Sequence, residues 1–168
     1  PPLLRADLAS AASAQSMAEV TALLDAGDAG DAAEVRRLQE SLEPQGPRTI
    51  PAFAAALAHP RSALACRGAV HVLAGFSQRA AFEVLAGLAD RLTAPEWAPA
   101  AADPALRTEI VQALAGTGGH GALESLVRLL EDPAWAATEA ELADHIVAVC
   151  YASDAPRLRK RWVASPPA

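Results

Sequence analysis

Aromatic side chains are scarce in this chain: three Trp, three Phe and one Tyr make up 4% of 168 residues. Strand-built cores draw on aromatic and β-branched residues, so their scarcity argues against a β architecture. Lysine is scarcer still, Lys160 being the single one among 14 basic residues. Against 20 acidic residues this leaves a formal charge of −6 and a pI near 5.2, and the chain as a whole lacks the basic stripe that a nucleic-acid backbone requires. There are two cysteines, Cys66 and Cys150, whose flanks LACRGAV and IVAVCYA read as core. Buried free thiols suit a reducing cytoplasm better than a secreted disulfide scaffold. No uninterrupted apolar run approaches the roughly 20 residues of a membrane helix, and no stretch reads as a signal peptide. With Pro1 first and Met17 the sole methionine, the chain is expected to be a piece of a longer protein or a processed form.

What is present is Ala and Leu, which dominate a hydrophobic fraction of 52%. These are small or unbranched, helix-favouring residues, and a chain of this length buries roughly two-thirds of its unfolded surface, enough for one domain over 1–168. Punctuation cuts the sequence into helical segments. Segment 16–27 opens with a Ser16–Glu19 capping box and closes at Gly27, expected as the left-handed residue after the helix; 31–42 repeats the device with Asp31 and Glu34 and stops at Pro44-Gln45-Gly46-Pro47. Segment 49–58 has Thr49 as cap and Pro51 in its first turn, 62–75 opens at Ser62, and 78–92 follows Ser77 with Phe82, Leu85, Leu88 and Leu92 at helical spacing. The stretch 93–103 is expected to be the longest irregular connection. Asp103-Pro104 then starts 104–116, while 121–131 places Leu123, Leu126, Val127 and Leu130 on one face. A Thr138–Glu141 capping box opens 138–151, and a tail from Asp154 can form one more short helix. No segment alternates with period two. The reading is all-α, with eight helices.

Three of these helices share a register. Ala65, Ala69, Val70, Val72 and Leu73 align with Leu106, Ile110, Val111, Ala113 and Leu114, and these with Leu142, Ile146, Val147, Val149 and Cys150. The offsets of 41 and 36 residues lie near the roughly 40–47 of helix-pair repeats. The stretch DPALRTEIVQALAGTGGHGALESLVRLLED at 103–132 resembles the HEAT repeat, an armadillo-like α-solenoid unit, through Asp103, Pro104, Leu106, Arg107, Leu114 and Gly116. His59-Pro60 through Gly75 matches more weakly, with Cys66 where the family has Arg, and 16–42 departs from the pattern as an atypical terminal pair. The resemblance covers about two-thirds of the chain. It implies an α–α superhelix of about four antiparallel pairs, clearest over 49–151, with 154–168 as a tail and the second helix of each pair lining the inner surface. Stacking would bury apolar stripes too wide for one pair to cover, with Leu73, Leu106, Ile110, Leu114, Leu126, Leu130, Leu142 and Ile146 in the core.

Groups that could carry chemistry do not converge. Cys66 with His71, and His145 with Cys150, are five residues apart, which places the two side chains about 140° apart on a helix, so neither pair forms a metal-ligand face. The chain contains no His-Glu dipeptide, the repeated motif of HEAT-like di-iron hydroxylases. HEAT-like glycosylases combine an aromatic, basic groove with a catalytic carboxylate; here the inner-face carboxylates Glu109, Glu141 and Asp144 have few aromatics around them. A HEAT-like lyase-type enzyme acting on tetrapyrroles, or another small-molecule-binding protein, is the alternative function. Gly116-Thr117-Gly118-Gly119 follows a helix instead of a strand and lacks the Lys-Ser/Thr of a phosphate loop, so it reads as a turn between repeats. His59 and His120 fall at turns, and Trp97 and Trp135 in connections, as staples over the core or exposed anchors. No cofactor and no catalytic residue are expected.

The expected function is a non-catalytic protein-interaction or scaffold module with a protein or peptide partner. Carrying the shared register onto polar positions aligns Arg67, Thr108 and Asp144 in one row and His71, Gln112 and Ala148 in a second, one turn later. Equivalent faces of successive helices should make these two adjacent tracks, whose mixed charge suits a protein ligand over a phosphate backbone. Arg67→Glu with Gln112→Ala is expected to weaken partner binding at least tenfold. The secondary site is the basic tail Arg157, Arg159, Lys160, Arg161 and Trp162, either a solvated terminal helix or a docking surface for an acidic partner or a nucleic-acid backbone.

Overall fold

A computed structural model of the chain describes residues 2–116 and 120–150, with side chains over 13–116 and 121–150. The described residues are all-α and contain no strand. The helices are α1 (Pro2–Asp28), α2 (Ala32–Leu42), α3 (Ile50–Ala56), α4 (Ala63–Ala74), α5 (Arg79–Arg91), α6 (Ala98–Ala101), α7 (Pro104–Gly116) and α8 (His120–Glu131), followed by α9 over 139–150. Short 3-10 segments at Glu43–Thr49, Pro95–Trp97 and Pro133–Thr138 lead into α3, α6 and α9. No helix among the described residues is long and apolar enough to cross a membrane.

Three starts are built by the side chains that the sequence nominates. The Asp31 carboxylate accepts the Glu34 N–H at 3.0 Å, Ser62 Oγ accepts the Ala65 N–H at 3.2 Å, and Asp103 accepts the Ala105 N–H at 2.9 Å, each satisfying a donor of the first turn. Other boundaries differ. Ser16 is no cap: α1 runs through it, and its buried hydroxyl meets Gln45 Oε1 at 3.4 Å, while Glu19 accepts from Gln45. The Ala-rich residues preceding Ser16 are strong helix formers, and their propensity overrides the local Ser-x-x-Glu signal. Gly27 lies inside α1, and Gly30, at φ 78°, is the left-handed residue that closes the helix end. Thr49 and Thr138 each donate to a carbonyl three residues back, at Gly46 and Trp135, and so serve the 3-10 turns instead of capping a helix. The connection at 93–103 is ordered as a 3-10 turn and α6, and buries Trp97.

Packing centres on α4, which contacts α1, α2, α5, α6 and α7; α7 in turn contacts α5 and α8. One apolar cluster runs through these elements from Val20 to Val149. The shared register is visible in its burial: Ala65, Leu106 and Leu142 are all fully buried, as are Ala69 and Ile110, and Leu73 and Leu114. It loosens at α9, where Ile146 is half-buried and Val147 is 53% exposed. In α8 the buried stripe is Ala122, Leu126 and Leu129, while Val127 and the expected core residue Leu130 face outward. Leu129 and Leu130 lie about 100° apart on the helix, and contacts with α7 and the 133–138 turn select the former.

The approach of α1 to α4 depends on Gly27. A Cβ there would stand 2.4 Å from the Ala65 Cα and 2.5 Å from its backbone nitrogen, and a backbone cannot swing aside as a side chain end can. Asp28 closes the same junction, accepting the Ser62 N–H at 2.7 Å and pairing with Arg61 at 2.9 Å. Burial raises the Asp28 carboxyl pKa, but the Ser62 N–H and the Arg61 guanidinium outweigh it and hold the group below its ordinary value. Gly27→Ala is expected to destabilise the protein by about 1–3 kcal/mol, although alanine is the better helix former. Chemical denaturation of the variant checks this; a gain in stability would mean that the two helices do not meet here.

Candidate functional site

Helices α2, α4 and α7 enclose an open groove of about 580 Å3. Its position follows from packing: α2 rests on both α1 and α4, α7 rests on α4, and the space left over the exposed face of α4 is the groove. Gly68 on α4 permits the approach of α2, since a Cβ there would come within 3.1 Å of both Val35 and Leu23 side chains. The Gln39 amide completes the junction by donating to the Gly68 carbonyl at 3.3 Å. The groove has apolar patches from Val35, Leu64, Val70, Ala74 and Ala113, and polar groups from Arg36, Gln39, Arg67, His71, Glu109 and Gln112.

The polar groups form a ladder across successive helices. Arg67 on α4 donates through Nε to Glu109 on α7 at 2.8 Å, with a second nitrogen at 2.6 Å and Asp103 at 4.0 Å. The Glu109 hydrogen bond is the main reason the Arg67 pKa stands above its ordinary value, burial opposing it. The next rung joins α7 to α9: Glu141 accepts from Thr108 at 2.7 Å and from Gln112 at 3.2 Å, and His145 Nε2 lies 3.9 Å from it. His71 Nε2 stands 3.3 Å from Glu43 at the end of α2. Arg67 and Glu109 keep 39% and 32% of their side-chain exposure, so water screens the pair, and its worth is about 0.2–1 kcal/mol. Such a pair orients groups more than it holds the fold.

Of the residues nominated from the sequence, Arg67, His71 and Gln112 line one groove. Thr108 sits beside it, bonded to the same carboxylate as Gln112. Asp144 and Ala148 are exposed on α9 and do not line the groove. The basic residues Arg157, Arg159, Lys160 and Arg161, with Trp162, lie outside the described residues. Sequence reasoning missed Arg36 and Gln39 altogether. Both belong to α2, the segment that departs from the repeat pattern, so no register argument could carry them onto the face of α4.

Comparison with protein-family models, curated proteins and solved structures found no match to this chain. What the structure establishes of its kinship is the all-α fold.

Two features bear on chemistry elsewhere. Cys66 is fully buried in the core, and burial pushes its thiol up to about 12, so it is protonated and unreactive at neutral pH. Among the described residues no group of three or more His, Cys, Asp or Glu side chains is placed to hold a metal ion.

Proposed function

We propose that this chain is a HEAT-like stack of helix pairs acting as a non-catalytic protein-interaction or scaffold module, and that the groove over α4 receives a segment of its partner. The observation that carries the reading is the convergence of Arg67, His71 and Gln112, from two helices 41 residues apart in register, on one open groove. The consecutive contacts of α1 with α4 and α4 with α7, and the matched burial at Ala65, Leu106 and Leu142, support a superhelical repeat. One apolar cluster running from α1 to α9 supports a single domain, and the buried, unpaired thiol of Cys66 suits a reducing compartment such as the cytoplasm.

The ladder refines the test. Arg67→Glu would bring a third carboxylate against Glu109 and Asp103, and so perturb the fold together with the groove. Arg67→Gln removes the cation and keeps a polar side chain. Combined with Gln112→Ala, it is expected to weaken binding of a captured partner at least tenfold, about 1.4 kcal/mol, with helix content unchanged. Capture of the partner from native lysate and titration by isothermal calorimetry supply the measurement. A partner whose affinity ignores the double variant would place the interaction on another surface.

A further inference from the structure

On the reading that the groove receives a partner segment, we infer that the segment is an extended, acidic peptide whose carboxylate is gripped by Arg36. Three basic side chains line the groove, and two have a carboxylate beside them: Arg67 is paired with Glu109, and His71 Nε2 stands 3.3 Å from Glu43. Arg36 on the α2 wall is exposed and makes no hydrogen bond or ion pair among the described residues. Its planar guanidinium presents paired N–H donors that match the two oxygens of a carboxylate. Arg37 is engaged in this way by Glu34, whose two oxygens accept from Nε and from a terminal nitrogen, and Arg61 reaches Asp25 and Asp28 through one terminal nitrogen.

The rest of the lining fits a peptide better than a small anion. Gln39 and Gln112 each direct one N–H inward, to Gly68 and Glu141, which leaves each amide oxygen able to accept and a second N–H able to donate. Backbone N–H groups of an extended segment are the donors that would meet those oxygens, and aliphatic side chains would fill the patches between Val35 and Ala113. The chain's net charge of −6 opposes an acidic ligand at long range. At physiological ionic strength that repulsion is screened beyond roughly 8 Å, and a direct contact with Arg36, well inside that distance, is weakened less. Glu109 and Glu43 beside the groove would repel a continuous phosphate backbone, but leave room for one carboxylate placed at the α2 wall.

Selection of phage-displayed random dodecapeptides against the full chain tests this. The selected peptides should carry an excess of Asp and Glu over Lys and Arg, and the strongest should bind the Arg36→Glu variant at least tenfold more weakly and lose affinity as salt rises. Arg79→Glu on α5, away from the groove and 91% exposed in the parent, should leave affinity unchanged. Far-UV circular dichroism verifies that both variants fold; if Arg36→Glu does not, Arg36→Gln is read in its place. Oligothymidylate should not compete with the peptide. Peptides without acidic excess, affinity that ignores Arg36, or competition by oligothymidylate would each overturn this inference while leaving the protein-interaction reading intact. Enrichment no greater than against an unrelated helical protein would overturn both.

Discussion

Truncating Ile110 to Ala should lower stability by about 2–5 kcal/mol, through the lost transfer energy of three carbons and the cavity they leave. Ile110 is fully buried in α7, the helix that α4, α5 and α8 all contact, so the walls of that cavity come from several elements and cannot collapse together. For a chain of this size each kcal/mol moves the midpoint of thermal unfolding by about 2–4 °C, and the variant should therefore melt roughly 4–20 °C below the parent. Leu130→Ala supplies the contrast. That side chain is 38% exposed, and its loss should cost well under half as much. Melting curves of the two variants side by side decide the matter: an Ile110→Ala protein that unfolds with the parent, or a Leu130→Ala protein that falls with Ile110→Ala, contradicts the packing of the central helices.

The contrast between those two residues also marks how much was legible in the sequence. Asp31, Ser62 and Asp103 announce helix starts because capping is local: the side chain and the N–H it accepts are two or three residues apart. The core positions of α4 and α7 are legible because the two helices repeat the same apolar positions 41 residues apart. In α8 the apolar arc is wide enough to offer two stripes, and the packing of α7 and the 133–138 turn on either side selects between Leu129 and Leu130. Ser16 misleads in the opposite direction, because its capping signal is local while the decision to continue α1 is made by the residues before it and by the contact with Gln45.

The groove divides in the same way. The positions of Arg67, His71 and Gln112 follow from a register shared by α4 and α7, which the sequence repeats. Glu109 and Glu141 are read from the sequence as inner-face carboxylates, Glu141 also as part of a capping box, and their roles as partners of Arg67, Thr108 and Gln112 depend on the distance between helices, which no periodicity encodes. Arg36 is the far case. It enters the groove because α2 turns back onto α4, and that turn is set by the left-handed Gly30 and by the missing side chain of Gly68.

The largest single loss is expected from Trp135→Ala. The indole is fully buried, although it stands in a 3-10 turn between α8 and α9. It is held from above by Arg107, whose guanidinium lies 4.9 Å from the ring centroid, a cation–π distance. The same arginine donates through Nε to the Ala101 carbonyl at 2.8 Å and also to the Ala134 carbonyl, so it ties the end of α6 and the 133–138 turn to α7. Burial lowers its pKa from the ordinary arginine value, with Asp132 opposing, and it stays charged throughout the neutral range. Removing the ring leaves a large cavity and exposes that cation to a void, which should cost about 3–5 kcal/mol. Trp135→Phe separates the two contributions. Among the described residues the buried indole N–H has no hydrogen-bond partner, a state that costs about 1–3 kcal/mol relative to a satisfied donor, and phenylalanine removes it while keeping an aromatic face beneath Arg107. The smaller ring forfeits some packing but shed desolvation cost offsets part of that loss. Denaturant unfolding of both variants should therefore rank parent and Trp135→Phe close together and Trp135→Ala far below; equal losses for Phe and Ala would mean that the N–H, and not the ring over which Arg107 sits, secures the turn.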